Sequence, residues 1–166
     1  VTTARLALVL AAALALAGCR HREITSLERK EAANVVSEAE FAVTLKDWKR
    51  AEGLYARAAE LCPDAGDVMV SLGIVRMHLG DRAGARTAYK SALSAYEADY
   101  DLNPVNTQDV LRRAYVLVIL GRADEARSAV DKARARHPED RRLRSFAENH
   151  GVDGYIAAPG LKDVSP

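Results

Sequence analysis

Cysteine, proline and aromatic residues are all scarce in this 166-residue chain. Two cysteines, Cys19 and Cys62, cannot make a disulfide framework, and no paired-cysteine or HExxH spacing offers a metal site. No GxSxG turn and no glycine-rich phosphate loop is present, so neither a nucleophile elbow nor a nucleotide cradle can be assigned. The four histidines have no second ligand at metal-binding spacing. Close carboxylates such as Glu38 and Glu40 stand two apart, which on a helix puts them on different faces. No catalytic constellation, cofactor or metal is therefore expected. Excess charge is lacking too: the net charge is +1, and it falls to zero without Arg5, which argues against nucleic-acid or polyanion binding. Period-2 runs long enough for a strand are absent, and the chain reads as all-α.

What the chain does have is a repeat. Ala85, Tyr89 and Ala92 come 34 residues after Ala51, Tyr55 and Ala58, and Ala126, Val130 and Ala133 come 41 residues later still. Three of the five prolines, Pro63, Pro104 and Pro138, punctuate the ends of these units. The interval from alanine to proline is five residues in the outer units and twelve in the middle one, so the seven surplus residues lie within 93–103. Seven residues are nearly two helical turns, and such an insertion keeps the same face inward. Leu72-Gly73 and Leu79-Gly80-Asp81 precede the middle trio, and Leu120-Gly121 the last one. Small residues at Gly73, Ala85 and Ala92 let two helices approach closely, with Tyr89 and Leu93 filling the space beside them.

This pattern resembles the tetratricopeptide repeat (TPR), a 34-residue helix–turn–helix unit. The resemblance implies an α-solenoid of about three repeats, near residues 32–65, 66–106 and 107–140. Repeat one departs from it at Ser37 and Glu38, and repeat three at Val130. A helix over 141–150 with Leu143, Phe146 and Ala147 in phase would cap the open end, closed by Gly151. Arg141, Arg142 and Arg144 on its outer face read as a solvated surface or as a site for an acidic partner. Residues 151–166, rich in Gly and Pro, are expected as an irregular tail. Thr25 and Glu28 form a capping-box pattern, so a first helix should start at residue 26.

The first residues carry a different signature. Arg5 precedes an eleven-residue apolar run over 6–16, too short to span a bilayer, and Leu16-Ala17-Gly18-Cys19 ends it. That tetrapeptide resembles the lipobox of bacterial prolipoproteins, which implies a signal peptide over 1–18, lipidation of Cys19, and a tether over 19–25. Two or three acyl chains give stable membrane anchoring. The residue after the cysteine is Arg20, not the aspartate that favours inner-membrane retention, so in a two-membrane bacterium the resemblance implies the outer membrane, facing the periplasm, and in a cell with one membrane its outer leaflet. Arg20-His21-Arg22 would lie at lipid headgroups or act as a solvated tether. Cys62 is read as a buried small apolar residue or as one half of an intermolecular disulfide.

In the TPR family the concave groove is lined by the first helix of each repeat. Carried over, the positions are Val36 in repeat one, Val70, Ile74 and Met77 in repeat two, and Leu111, Arg112, Tyr115, Val118 and Ile119 in repeat three. This largely apolar groove suits an apolar helical or extended segment of a protein partner. Its occupant could instead be the tail or a second copy. The expectation is that a partner wins, anchored on Tyr115. The resemblance thus implies a non-catalytic, membrane-tethered interaction module, an assembly or scaffolding factor for a pilus, secretin or outer-membrane machinery. The other two readings are a homo-oligomeric structural envelope lipoprotein and an accessory to cell-wall enzymes.

Overall fold

A computed structural model describes residues 23–166 of the protein. The lipobox and Cys19 lie outside the described residues. Within them the chain is all-helical, with no strand. The helices are α1 (Ser26–Thr44), α2 (Trp48–Leu61), α3 (Gly66–His78), α4 (Arg82–Leu102), α5 (Gln108–Ile119), α6 (Ala123–Arg136), α7 (Arg141–Glu148), α8 (Gly151–Ile156) and α9 (Leu161–Val164). No helix among them is long and apolar enough to cross a membrane.

The first six helices form three hairpins, α1–α2, α3–α4 and α5–α6, each packed against the next. The same three backbone hydrogen bonds close every hairpin turn. Leu45, Lys46 and Asp47 donate to Phe41, Val43 and Ala42; Leu79, Gly80 and Asp81 donate to Val75, Met77 and Arg76; Leu120, Gly121 and Arg122 donate to Val116, Val118 and Leu117. The central residue of each turn is left-handed, with φ of 58° at Lys46, 80° at Gly80 and 74° at Gly121. Glycine adopts that conformation without the Cβ penalty, and Lys46 bears it. The links between hairpins repeat as well. Cys62, Asn103 and His137 each precede a proline and share one non-helical conformation, with φ of −129°, −139° and −129° and ψ of 79°, 76° and 63°, because a proline at the next position disfavours the helical region. Helices α2, α4 and α6 have 14, 21 and 14 residues, so the extra seven residues continue α4 as unbroken helix.

Caps form where the sequence places them. The Glu28 amide donates to Thr25 Oγ1 at 3.2 Å while the Thr25 amide donates to Glu28 Oε2 at 2.8 Å, a complete capping box on α1. Asp140 accepts from the Leu143 amide at 3.0 Å as N-cap of α7 and from the buried Thr107 hydroxyl at 2.8 Å. These bonds hold its carboxyl below the usual carboxylate range and tie the start of α5 to the start of α7.

Close helix approach is concentrated in the second hairpin. A Cβ on Gly73 would lie 2.3 Å from Tyr89 Cε1, and one on Gly66 would lie 2.5 Å from Tyr96 Cε1. Two tyrosine rings, two helical turns apart on α4, thus lie against two glycines of α3. Tyr96 belongs to the inserted stretch, so the insertion extends the hairpin's packing as well as its length.

The end of the chain departs from expectation. Residues 151–166 are not an irregular tail but form α8 and α9. The cap helix ends earlier, with Asn149 as its C-cap. His150 and Gly151 both take positive φ and redirect the chain, and Gly151 opens α8 instead of closing α7. The physical reason is amphipathic spacing: Val152, Tyr155 and Ile156 stand at i, i+3 and i+4, and Leu161 and Val164 at i and i+3. Pro159 and Gly160 only separate the two turns of helix.

Candidate docking groove

The expected groove residues fall on α1, α3 and α5, but they do not form one open trough. Val36 is half-buried against the cluster between the first and second hairpins, which contains Ala39, Ala42, Tyr55, Leu72 and Val75. Val70, Ile74, Met77 and Tyr115 are half-buried against the larger cluster of the second and third hairpins. Leu111, Val118 and Ile119 are buried outright, the last at 2% exposure, so Ile119 is a core residue and offers no surface to a partner. Arg112 is also committed to the fold. Its guanidinium reaches Asp67 on α3 at 3.1 Å and Asp109 at 3.3 Å, and lies 6.0 Å from the centre of the Tyr96 ring. Tyr96 donates its hydroxyl to the same Asp67 at 2.6 Å. Burial, with the Asp67 carboxylate beside it, pushes the Tyr96 phenol far above its ordinary range.

The apolar face of α3 and α5 is covered by the chain's own C-terminal segment. Helix α8 packs on α5, α6 and α7, and α9 packs on α3. Tyr155 stands between Tyr115 and Phe146, with ring centres 5.2 Å from each; the Tyr115 contact is edge-to-face. Leu161 and Val164 join Val70, Ile74 and Met77 against the core. Two polar ties fix the segment at its far end: Tyr89 donates its hydroxyl to the Val164 carbonyl at 2.8 Å, and Arg86 donates to the Pro166 carbonyl at 2.9 Å. Arg127 on α6 pairs with Asp153 on α8 at 2.7 Å. In the isolated chain this face is therefore occupied by the tail, and Tyr115 makes an intramolecular contact with Tyr155. The Gly and Pro content of residues 151–166 points to irregular chain, whereas the i, i+3 spacing of Val152 with Tyr155 and of Leu161 with Val164 is the signal that the fold obeys.

The rest of the surface offers little chemistry. A cavity of about 90 Å³ beside the α4 insertion is lined by Tyr96, Tyr100, Asp109 and Arg113, with room for only a few waters. The Tyr100 hydroxyl is buried there without a protein partner. Among the described residues no group of three His, Cys, Asp or Glu side chains could hold a metal ion. Around the cap helix, Arg144 pairs with Glu139 and Arg134 with Asp131, so that basic surface is partly neutralised within the chain. Cys62 is buried. No family model matches the chain, and comparison with curated proteins finds no relative.

Proposed function

We propose that this protein is a tetratricopeptide-type solenoid lipoprotein, held to the membrane through Cys19, whose non-catalytic task is to receive one segment of a protein partner in the face that α8 and α9 cover. The observation that carries this reading is that covered face. It takes Tyr155, Leu161 and Val164 from a short helical segment, and a surface complementary to one amphipathic segment is complementary to others with the same spacing. The turn geometry recurring at 34 and 41 residues supports the repeat reading. The partner segment has the chemistry of the tail it displaces: an aromatic residue for the Tyr115–Phe146 slot, then aliphatic residues for α3. The leader and lipobox support placement at the cell envelope, on the outer membrane facing the periplasm, where such a module serves assembly of an envelope complex.

The test uses photo-cross-linking in the native envelope from a probe at Met77. One specific adduct is expected, strengthened by truncation after His150 and lost in Ile74→Glu with Tyr115→Ala. Unchanged capture by that double variant would exclude the groove as the docking site. Intact mass of the wild-type protein should show lipid on Cys19, and its absence would remove the anchor from the proposal.

A further inference from the structure

The hairpins share a register, and it exposes a mismatch at the first of them. In α3, Val75 is 2% exposed because that face packs on the preceding hairpin; in α5 the matching residue, Val116, is 0% exposed. The residue at the same place in α1 is Phe41, at 59%. Each of the three accepts the first hydrogen bond of its hairpin turn, from Leu79, Leu120 and Leu45 respectively, which fixes the correspondence without reference to side chains. Leu45, next along the face, is 60% exposed, and Leu27, two turns before Asn34, is 72%. Thus at Phe41 α1 presents the face that later hairpins bury against a predecessor; Leu45 marks no such mismatch, because its counterpart Leu79 is itself 40% exposed, and Leu27 precedes the stretch of α1 that has counterparts in α3 and α5.

We infer that this face of α1 binds the same face of a second copy of the chain, giving an antiparallel, two-fold symmetric dimer. Three observations select this occupant. First, the stripe is self-complementary: Leu27 and Phe41 lie seven residues either side of Asn34, and residues seven apart on a helix lie almost in line. Antiparallel pairing about Asn34 sets each Leu27 against the other copy's Phe41. It brings the two Asn34 side chains together, and an amide carries both donor and acceptor for such a pair. Second, head-to-tail stacking is closed off, because α7 and α8 cover the last hairpin with Leu143 and Val152 buried beneath them. Among the described residues no complementary end is left for head-to-tail stacking, and the closed arrangement open to two copies through one face is an isologous contact. Third, the exposed Lys30 and Glu38 lie four residues either side of Asn34, so the same antiparallel pairing sets each ammonium against the other copy's carboxylate.

Sedimentation velocity of the full chain in density-matched nonionic detergent tests the inference. The wild type is expected as a dimer. Phe41→Lys places a charge at both symmetry-related sites and should raise the dimer dissociation constant by about 100-fold or more, as loss of an aromatic anchor does at other interfaces. Its helical circular dichroism should be unchanged, since Phe41 contributes little to the monomer's core. Asn34→Cys should oxidise to a covalent dimer whose disulfide, mapped by peptide mass, joins the two introduced thiols; the same change at exposed Thr87 should not. A wild-type chain that stays monomeric at about 100 µM overturns the inference, as does a dimer indifferent to Phe41→Lys. A monomer that instead binds vesicles of anionic phospholipid would overturn it too and assign the face to the membrane. Groove variants leave this face intact, so failure here is distinct from failure of the docking proposal.

Discussion

Two glycines separate packing from propensity. Gly73 is a contact residue: any side chain there must displace the Tyr89 ring, which is wholly buried. Gly73→Ala should destabilise the fold by about 1–3 kcal/mol through overpacking. Gly53, in the middle of α2, has nothing within 4 Å of an added Cβ, so Gly53→Ala should stabilise by about 0.5–1 kcal/mol through reduced chain entropy alone. Thermal melts of the two variants should therefore move in opposite directions, and a shared direction would contradict the close approach of α3 to α4. The tyrosines add a pH dependence. Burial raises the phenol pKa of Tyr89, Tyr96 and Tyr155 above the ordinary value near 10. A group raised in the folded state contributes full stability below its unfolded pKa and loses it as pH climbs toward the folded one. The melting temperature should hold up to about pH 9.5 and fall beyond it, and Tyr89→Phe should flatten that fall.

At the scale of elements, α4 is the unusual member. Its surplus of seven residues was legible in the sequence because proline marks where each second helix stops, and the helical period tells which insertions keep phase. Deleting residues 96–102 would leave α4 the length of α2 and α6 and rotate the downstream helices by only about 20°. It would also remove Tyr96 from Gly66 and its hydroxyl from Asp67. Deleting residues 97–100 keeps Tyr96 but turns the Asn103–Pro104 link by about 40° and shortens the helix by about 6 Å. Phase should matter more than one side chain, because the link also sets Thr107 on Asp140 and hence α7. Melts should rank the seven-residue deletion above the four-residue one, and equal losses would mean that the link adapts. The capping box on α1 was equally legible, since it is local. The left-handed turn at Lys46 was not: neither a charge nor a lysine announces positive φ, and only alignment with Gly80 and Gly121 points to it.

At the scale of the whole molecule, the first six helices pack hairpin on hairpin, and the last two short helices cover the apolar face of α3 and α5, while the outer face of α1 stays open. Sequence pattern identified the apolar face of α3 and α5 but not its occupant, because tertiary cover depends on where a segment of 16 residues can reach, which no local periodicity encodes. Helices of six and four residues are too short to be stable alone. Their order must come from the contacts of Tyr155, Leu161 and Val164 and from the hydrogen bonds of Tyr89 and Arg86 to the last carbonyls. A chain ending at His150 should still fold, because the three hairpins and α7 retain their cores, but it should melt lower and bind a hydrophobic dye at the uncovered face. A synthetic peptide of residues 151–166 should restore the melting temperature in a concentration-dependent way, since a ligand that binds only the folded state stabilises by mass action. Tyr155→Ala in the peptide should weaken that rescue, and Ile74→Glu in the truncated chain should weaken it from the other side. If truncation changes neither the melt nor dye binding, the tail contributes no cover, and the groove is closed by the packing of α3 against α5 alone.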